Sequence, residues 1–174
     1  AAGYVVGMVR KGAGGREVIM GEDGLARSMW PGGTILLTST IKPAEARAIG
    51  EGLKDTGLKL IDSPVSGGYP GAQSGTLTLM AAAPDNVLGD ARPVMEAVSA
   101  SIHHVGSAPG EGQVVKACLQ SLIGAIFSAT FEAAALAAKA GVPGQVILDV
   151  FSTSSAGSGI TNNALQKIID RQFE

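Results

Sequence analysis

The sequence predicts an α/β domain, a mostly parallel sheet covered by helices, joined near residue 108 to the start of an all-α domain. Three observations predict it. Short apolar runs rich in β-branched residues alternate with stretches of helical periodicity up to about residue 105. Beyond Gly106-Ser107-Ala108-Pro109-Gly110 only helical patterning follows. The 25 glycines among 174 residues are scattered singly or in pairs, as many tight strand–helix turns require.

Taken in order, strands are expected at 4–9, 34–37, 58–61, 76–80 and 102–105. A short helix fits 14–20. The clearest helix opens at Pro43, a favoured first helical position, with Glu45 suited to the N-terminal dipole. Ala46, Ile49 and Leu53 form its apolar stripe, and Gly57 its expected C-terminal cap. Another helix follows Pro84-Asp85 and carries Val87, Leu88, Ala91, Met95 and Val98. Thr76-Leu77-Thr78-Leu79 alternates strictly and follows its neighbour without a helix, so antiparallel pairing at one sheet edge is expected. Helices are then expected at 113–140, 143–152 and 161–171. The first is alanine-rich and apolar on nearly every face, the pattern of a helix buried between domains or subunits. The domains are therefore 1–107 and 108–174. The first run begins with no preceding turn, and the last helix stops at Phe173-Glu174 without a stop signal, as expected of a piece of a longer chain.

Composition narrows the function. Hydrophobic residues make up 45% and charged ones 16%, which excludes intrinsic disorder. Thirteen basic against fifteen acidic residues give a formal charge of −2, which argues against nucleic acid or an anionic membrane as main partner. The single cysteine, Cys118, allows neither a disulfide framework nor a thiolate zinc site, and is expected to be a small buried residue in a cytoplasmic protein. No signal-peptide pattern opens the chain. The longest apolar stretch, 114–138, is interrupted by Lys116, Gln120 and Glu132, too polar for a lipid-facing span.

Four places could carry chemistry. Gly12-Ala13-Gly14-Gly15 stands between a strand and a helix, where a dinucleotide fingerprint would sit. Glu17 occupies the sixth position, so a flexible turn is expected there instead. Asp62-Ser63-Pro64-Val65-Ser66-Gly67-Gly68 follows a strand end. Its glycines let backbone N–H groups approach an anion, so it is either a carboxylate-binding nest or an ordinary turn, with Asp62 a turn residue or a general base. Lys116 lies one turn into a long apolar helix with Gln120 four residues on, hence on the same face. Desolvation and the positive helix end both lower a lysine pKa there, towards acid–base range; the alternative is a packed stem whose head reaches water. His103 and His104 end a strand without a third ligand nearby, so no metal site is expected.

These segments resemble the β-hydroxyacid dehydrogenase superfamily across essentially the whole chain. The resemblance rests on Asp62-Ser63-Pro64-Val65-Ser66-Gly67-Gly68 with Gly71-Ala72 and Gly75-Thr76-Leu77-Thr78-Leu79-Met80. It continues through Gly110-Glu111-Gly112-Gln113-Val114-Val115-Lys116, then Glu132-Ala133, Leu136-Ala137 and Gly141. Ser39-Thr40-Ile41-Lys42-Pro43 resembles the family's cofactor-side strand end.

The resemblance implies part of a Rossmann-type dinucleotide-binding domain over 1–107, and over 108–174 part of an all-α substrate and dimerisation domain. It implies oxidation of a short hydroxy acid with NAD or NADP, in a homodimer or homotetramer. Lys116 would be the catalytic acid/base, accepting the substrate hydroxyl proton. Ser66, Gly67 and Gly68 would bind the substrate carboxylate. Thr40 would sit beside the nicotinamide, with Val9 and Arg10 in the loop passing the cofactor; the family usually has proline where Arg10 stands. Gln120 replaces a common asparagine and resembles the branch acting on four-carbon sugar acids such as threonate. The alternatives are enzymes of the 3-hydroxyisobutyrate or tartronate semialdehyde type, a 6-phosphogluconate-type decarboxylating dehydrogenase, a non-catalytic binding module on the same fold, and a structural dimerisation element.

Overall fold

A computed structural model describes residues 2–172; the expectation about Phe173-Glu174 lies outside the described residues. The chain divides into two compact units, Ala1–Ala117 and Cys118–Glu174.

The first unit is built on a six-stranded sheet in the order β1-β2-β3-β5-β4, with β6 on β5. β1 (Tyr4–Gly7), β2 (Thr34–Leu37) and β3 (Lys59–Asp62) pair in parallel, so Gly7, Leu37 and Asp62 stand in one row at their carboxyl ends. β5 (Leu77–Ala82) runs antiparallel to β3 and to β4 (Val65–Ser66), and parallel to β6 (Ser99–Gly106). The antiparallel turn expected from Thr76-Leu77-Thr78-Leu79 is present, but β5 lies inside the sheet and not at its edge. The two-residue β4 is too short to show as a periodic run; it pairs on the same side of β5 as β3, and β6 takes the edge.

β2 shows why the sheet is covered on both faces. All four of its residues are buried. Ile35 and Leu37 point to one core with Ile19, Ile49 and Leu53, while Leu36 points to the other with Ile61, Leu79, Val87 and Met95. The first core is closed by α1 (Gly12–Met20), α2 (Leu25–Ser28) and α3 (Pro43–Leu53). The second is closed by α5 (Asp85–Glu96). In α3 the Glu45 carboxylate accepts the Lys42 N–H at 2.8 Å and caps the helix start. The helix ends at Leu53, earlier than Gly57, because Thr56 turns back with both its N–H and its hydroxyl onto the Leu53 carbonyl. Gly57, at φ +73°, serves the turn that follows. The remaining short helix, α4 (Gly68–Ser74), was not legible as a periodic segment.

Gly12-Ala13-Gly14-Gly15 is not a flexible turn but the first turn of α1. Gly12 and Gly15 are buried, and the Glu45 carboxylate fills the space that a Cβ on Gly12 would need. A Cβ on Gly15 would come within 3.3 Å of Val9. These glycines are selected by close helix packing.

α6 (Glu111–Lys139) begins in the first unit and continues into the second, which also holds α7 (Gly144–Thr153) and α8 (Gly159–Ile169). α7 and α8 pack on each other, and Ala164, Leu165, Thr161 and Thr130 are buried. Ser158 caps α8 by accepting the Thr161 N–H at 3.1 Å. The expected burial of α6 is not met in this chain: Leu122, Phe127, Phe131 and Leu136 are exposed, and so is Cys118. Contrary to the expectation drawn from Lys116, Gln120 and Glu132, α6 is long and apolar enough, by length and composition only, to cross a membrane.

Candidate active site at the carboxyl ends of the parallel strands

The parallel strands end at one level, so the loops that follow them emerge together, the preferred ligand position of open α/β sheets. Val9 and Arg10 follow β1, with Arg10 exposed. The Val9 N–H donates to Ser39 Oγ at 2.7 Å, which ties this loop to the one after β2. Thr40 is exposed between the buried Ser39 and Ile41. Ser66, half-buried, closes β4 opposite Thr78 of β5. Gly67 and Gly68 have φ of +125° and +58°, conformations that side-chain-bearing residues rarely adopt. The chain therefore turns sharply there, with both glycines exposed.

The start of α6 is fastened to this edge. Gly110 takes φ +98°, and its N–H donates to Asp62 Oδ2 at 2.8 Å. Gly112 packs so closely that a Cβ would lie 2.6 Å from the Met80 carbonyl oxygen and 2.7 Å from that of Asp62. Lys116 follows one turn later on the same side of the helix and is 7% exposed. Burial holds its ammonium below the ordinary lysine range. That is the environment a proton-transferring lysine requires.

Asp62 is neither an exposed turn residue nor placed as a solvent-accessible base. It is 0% exposed, and its carboxylate accepts from the Gly110 N–H, from the Gln113 N–H at 3.3 Å and from Gln113 Nε2 at 2.7 Å. Burial pushes its carboxyl above the ordinary range; hydrogen bonds from Gln113, Gly110 and Gly112 pull the other way without cancelling the effect. Gln113, 1% exposed, also donates from Nε2 to the Ser39 carbonyl at 3.0 Å and accepts the Ile41 N–H on Oε1 at 2.9 Å. Gln113 and Ser39 stand in the motifs of the sequence reading without a role assigned to either. The available signal was a glutamine at the third helical position, the place of a capping-box residue.

Gln120, on the same helix, belongs to the second unit and is exposed. Glu132 is exposed as well. His104 fastens strands: its Nε2 lies 2.8 Å from the Gly106 carbonyl and 3.1 Å from that of Ala83, and its Nδ1 lies 3.2 Å from Asp85.

Residues 1–106 match the family described as the NAD binding domain of 6-phosphogluconate dehydrogenase. Residues 110–174 match the NAD-binding family of NADP-dependent 3-hydroxyisobutyrate dehydrogenase. Among curated proteins, the chain is 37% identical over 158 residues to an L-threonate dehydrogenase of Escherichia coli, covering 91% of this chain and 52% of that protein. It is also 37% identical over 161 residues to a 3-hydroxyisobutyrate dehydrogenase of Pseudomonas aeruginosa, covering 92% of this chain and 54% of that one. A crystal structure of 3-hydroxyisobutyrate dehydrogenase from Salmonella typhimurium superposes with a TM-score of 0.89 at 34% identity, over 98% of this chain and 59% of that one. The chain thus spans about half the length of the curated relatives it matches.

Proposed function

The chain belongs to the family described as the NAD binding domain of 6-phosphogluconate dehydrogenase, and from that premise we propose that the protein is an NAD- or NADP-dependent dehydrogenase of a short hydroxy acid. The observation that carries the proposal is Lys116, buried at the start of α6 where that helix is fastened to the carboxyl end of the parallel sheet. A nicotinamide supplies the hydride acceptor; the residues of this chain supply the proton path and the orientation.

Lys116 Nζ is the catalytic acid/base. With its pKa lowered by burial, it accepts the substrate hydroxyl proton as the carbon is oxidised, and returns it in the reverse direction. Ser66, Gly67 and Gly68 hold the substrate carboxylate, the glycines by backbone N–H groups of a turn whose positive φ favours glycine. Thr40 would hold the nicotinamide side of the cofactor, with Val9 and Arg10 in the loop that would line its path. The fit is to the nicotinamide side alone: the glycine turn of α1 is filled by the Glu45 carboxylate, which would repel a pyrophosphate. Gln120, one turn beyond Lys116, bonds a second hydroxyl of the substrate and selects a four-carbon sugar acid such as threonate.

The functional division is at 107/108, the sheet part serving the dinucleotide and the helical part the substrate and a homodimer or homotetramer. The two family matches, to 1–106 and 110–174, support that division, and the exposed apolar residues of α6 support the assembly. The formal charge of −2 argues against a nucleic acid or an anionic membrane as main partner, and the single cysteine fits the cytoplasm.

A 3-hydroxyisobutyrate dehydrogenase is the second reading, favoured by the equal 37% identity to the Pseudomonas aeruginosa enzyme. Steady-state oxidation of L-threonate and 3-hydroxyisobutyrate by the full-length protein, with either nicotinamide, separates the two. Lys116→Ala is expected to lower kcat by about 10²–10⁴-fold. Near-parental kcat in that variant rejects the assignment.

A further inference from the structure

We propose that Gln113 is a positioning residue which, with the buried carboxylate of Asp62, sets the helix turn bearing Lys116 and the segment bearing Thr40 in one fixed relation. The inference rests on the roles given above to Lys116 and Thr40, and concerns how they are held.

One amide makes three hydrogen bonds to two segments, the one after β2 and the end of β3. Gln113 Oε1 accepts the Ile41 N–H at 2.9 Å and Nε2 donates to the Ser39 carbonyl at 3.0 Å. These are the peptide groups on either side of Thr40, so the side chain pairs with this segment as a neighbouring strand would. Ser39 and Ile41 are buried and Thr40 is exposed, so the backbone is held from within while the threonine is presented outward. The second Nε2 hydrogen goes to Asp62 Oδ1 at 2.7 Å, at the end of β3. Both amide hydrogens are used, which also fixes which end of the amide is oxygen.

Asp62 completes the fastening from the sheet side. Its other oxygen accepts the N–H groups of Gly110 and Gln113 at the start of α6. A carboxylate on another strand thus serves as the N-cap of this helix, where the positive helix end favours a negative charge. Burying that charge is tolerable only because each oxygen is met by N–H donors. Lys116 lies three residues after Gln113 on the same helix, so a shift or rotation of the first turn moves Nζ directly. Thr40 and Lys116 belong to separate segments of the chain, and Gln113 is the side chain bonded to the one and helically adjacent to the other. Small displacements of reacting groups are costly in rate, about 10²-fold for an ångström. A side chain holding both therefore acts on kcat.

The test uses the full-length protein and four variants. Gln113→Met keeps the length of the side chain and deletes its hydrogen bonds; kcat should fall about 10–100-fold while KM for the acid stays within about twofold. Asp62→Asn sets an amide against Gln113 Nε2, and Gln113→Glu sets two carboxylates face to face; each alone should lose kcat by at least as much. The double variant Asp62→Asn/Gln113→Glu restores a donor–acceptor pair between positions 62 and 113 but sets a carboxylate oxygen against the Ser39 carbonyl, so it should recover kcat in part over either single variant and stay below the parent. Melting is recorded for all four, with kcat measured well below each transition. Stability changes without the kcat loss, or a double variant no better than the singles, would overturn the inference. If Lys116→Ala is inactive while Gln113→Met turns over normally, the positioning role alone is wrong. If Lys116→Ala turns over normally, the assigned chemistry falls and the inference with it.

Discussion

Gly112→Ala should destabilise the protein and slow it, although alanine is the better helix former. The added methyl would meet two carbonyl oxygens, Met80 at 2.6 Å and Asp62 at 2.7 Å, with Pro64 Cδ at 3.0 Å. Both oxygens belong to the backbone of paired strands, so neither can rotate away, and α6 itself must lift. Overpacking of this kind costs typically about 1–3 kcal/mol. Helix propensity offsets at most about 1 kcal/mol, and less in a first turn. The net loss is therefore about 1–2 kcal/mol, or roughly 3–6 °C of melting temperature at this chain length. Gly89→Ala is the control, because its methyl meets nothing within 4 Å and it stands inside α5. It should gain about 0.5–1 kcal/mol. Calorimetry on both variants, alongside kcat at 25 °C, reads the two effects. A Gly112→Ala protein that melts as high as the parent would show that α6 does not sit as tightly on β3 and β5 as described.

The lowered pKa of Lys116 makes stability rise with pH: between its folded value and the ordinary 10.5 the unfolded chain binds more protons, so folding is progressively favoured across that window. Lys116→Met should flatten that rise in denaturant titrations between pH 7 and 10, and an unchanged slope would mean the ammonium is hydrated. Ser66→Ala should raise KM for the acid more than it lowers kcat; equal KM values in the two proteins would reduce the loop to a turn. Gly67→Val is a poorer probe, because φ of +125° strains any side chain there. Gln120→Leu should narrow the ratio of kcat/KM for threonate over 3-hydroxyisobutyrate, since an amide bonded to a substrate hydroxyl is worth roughly 1–3 kcal/mol. A ratio that stays put removes Gln120 from substrate choice. Ser158→Ala should cost about 1 kcal/mol by uncapping α8, seen as an earlier thermal transition.

The parts of the fold that the sequence made legible are those written in local periodicity. β2 is a threonine and three apolar residues bounded by turn signals, and α3 carries proline, glutamate and its stripe at fixed spacings. Glycine was the ambiguous letter. At Gly67, Gly68 and Gly110 it answers a positive φ, whereas at Gly12, Gly15 and Gly112 it answers a neighbour pressed against the backbone. Both demands select the same residue, so Gly12-Ala13-Gly14-Gly15 read as a turn and folded as a helix. α6 is the converse case. Its apolar residues imply burial, yet Leu136 is 70% exposed in this chain, because periodicity reports what a face requires and not what covers it.

The candidate site was legible as a set of residues and illegible as a structure. Lys116 announces itself as a charge in an apolar helix, and Ser66-Gly67-Gly68 as a turn that can admit an anion. What holds them does not, because Asp62 and Gln113 are 51 residues apart and Gln113 and Ser39 are 74 apart. In isolation each has an ordinary explanation: an aspartate closing a strand, a glutamine starting a helix, a serine in a turn. The carboxylate becomes tolerable in the interior only when the helix N-terminus and the amide arrive together, and the amide is satisfied only when the segment around Thr40 meets it. Burial of the charge, the close approach at Gly112 and the placing of Lys116 are thus one packing event. A substitution at any of its three contributing segments should therefore be felt at the lysine, whether or not it touches the substrate.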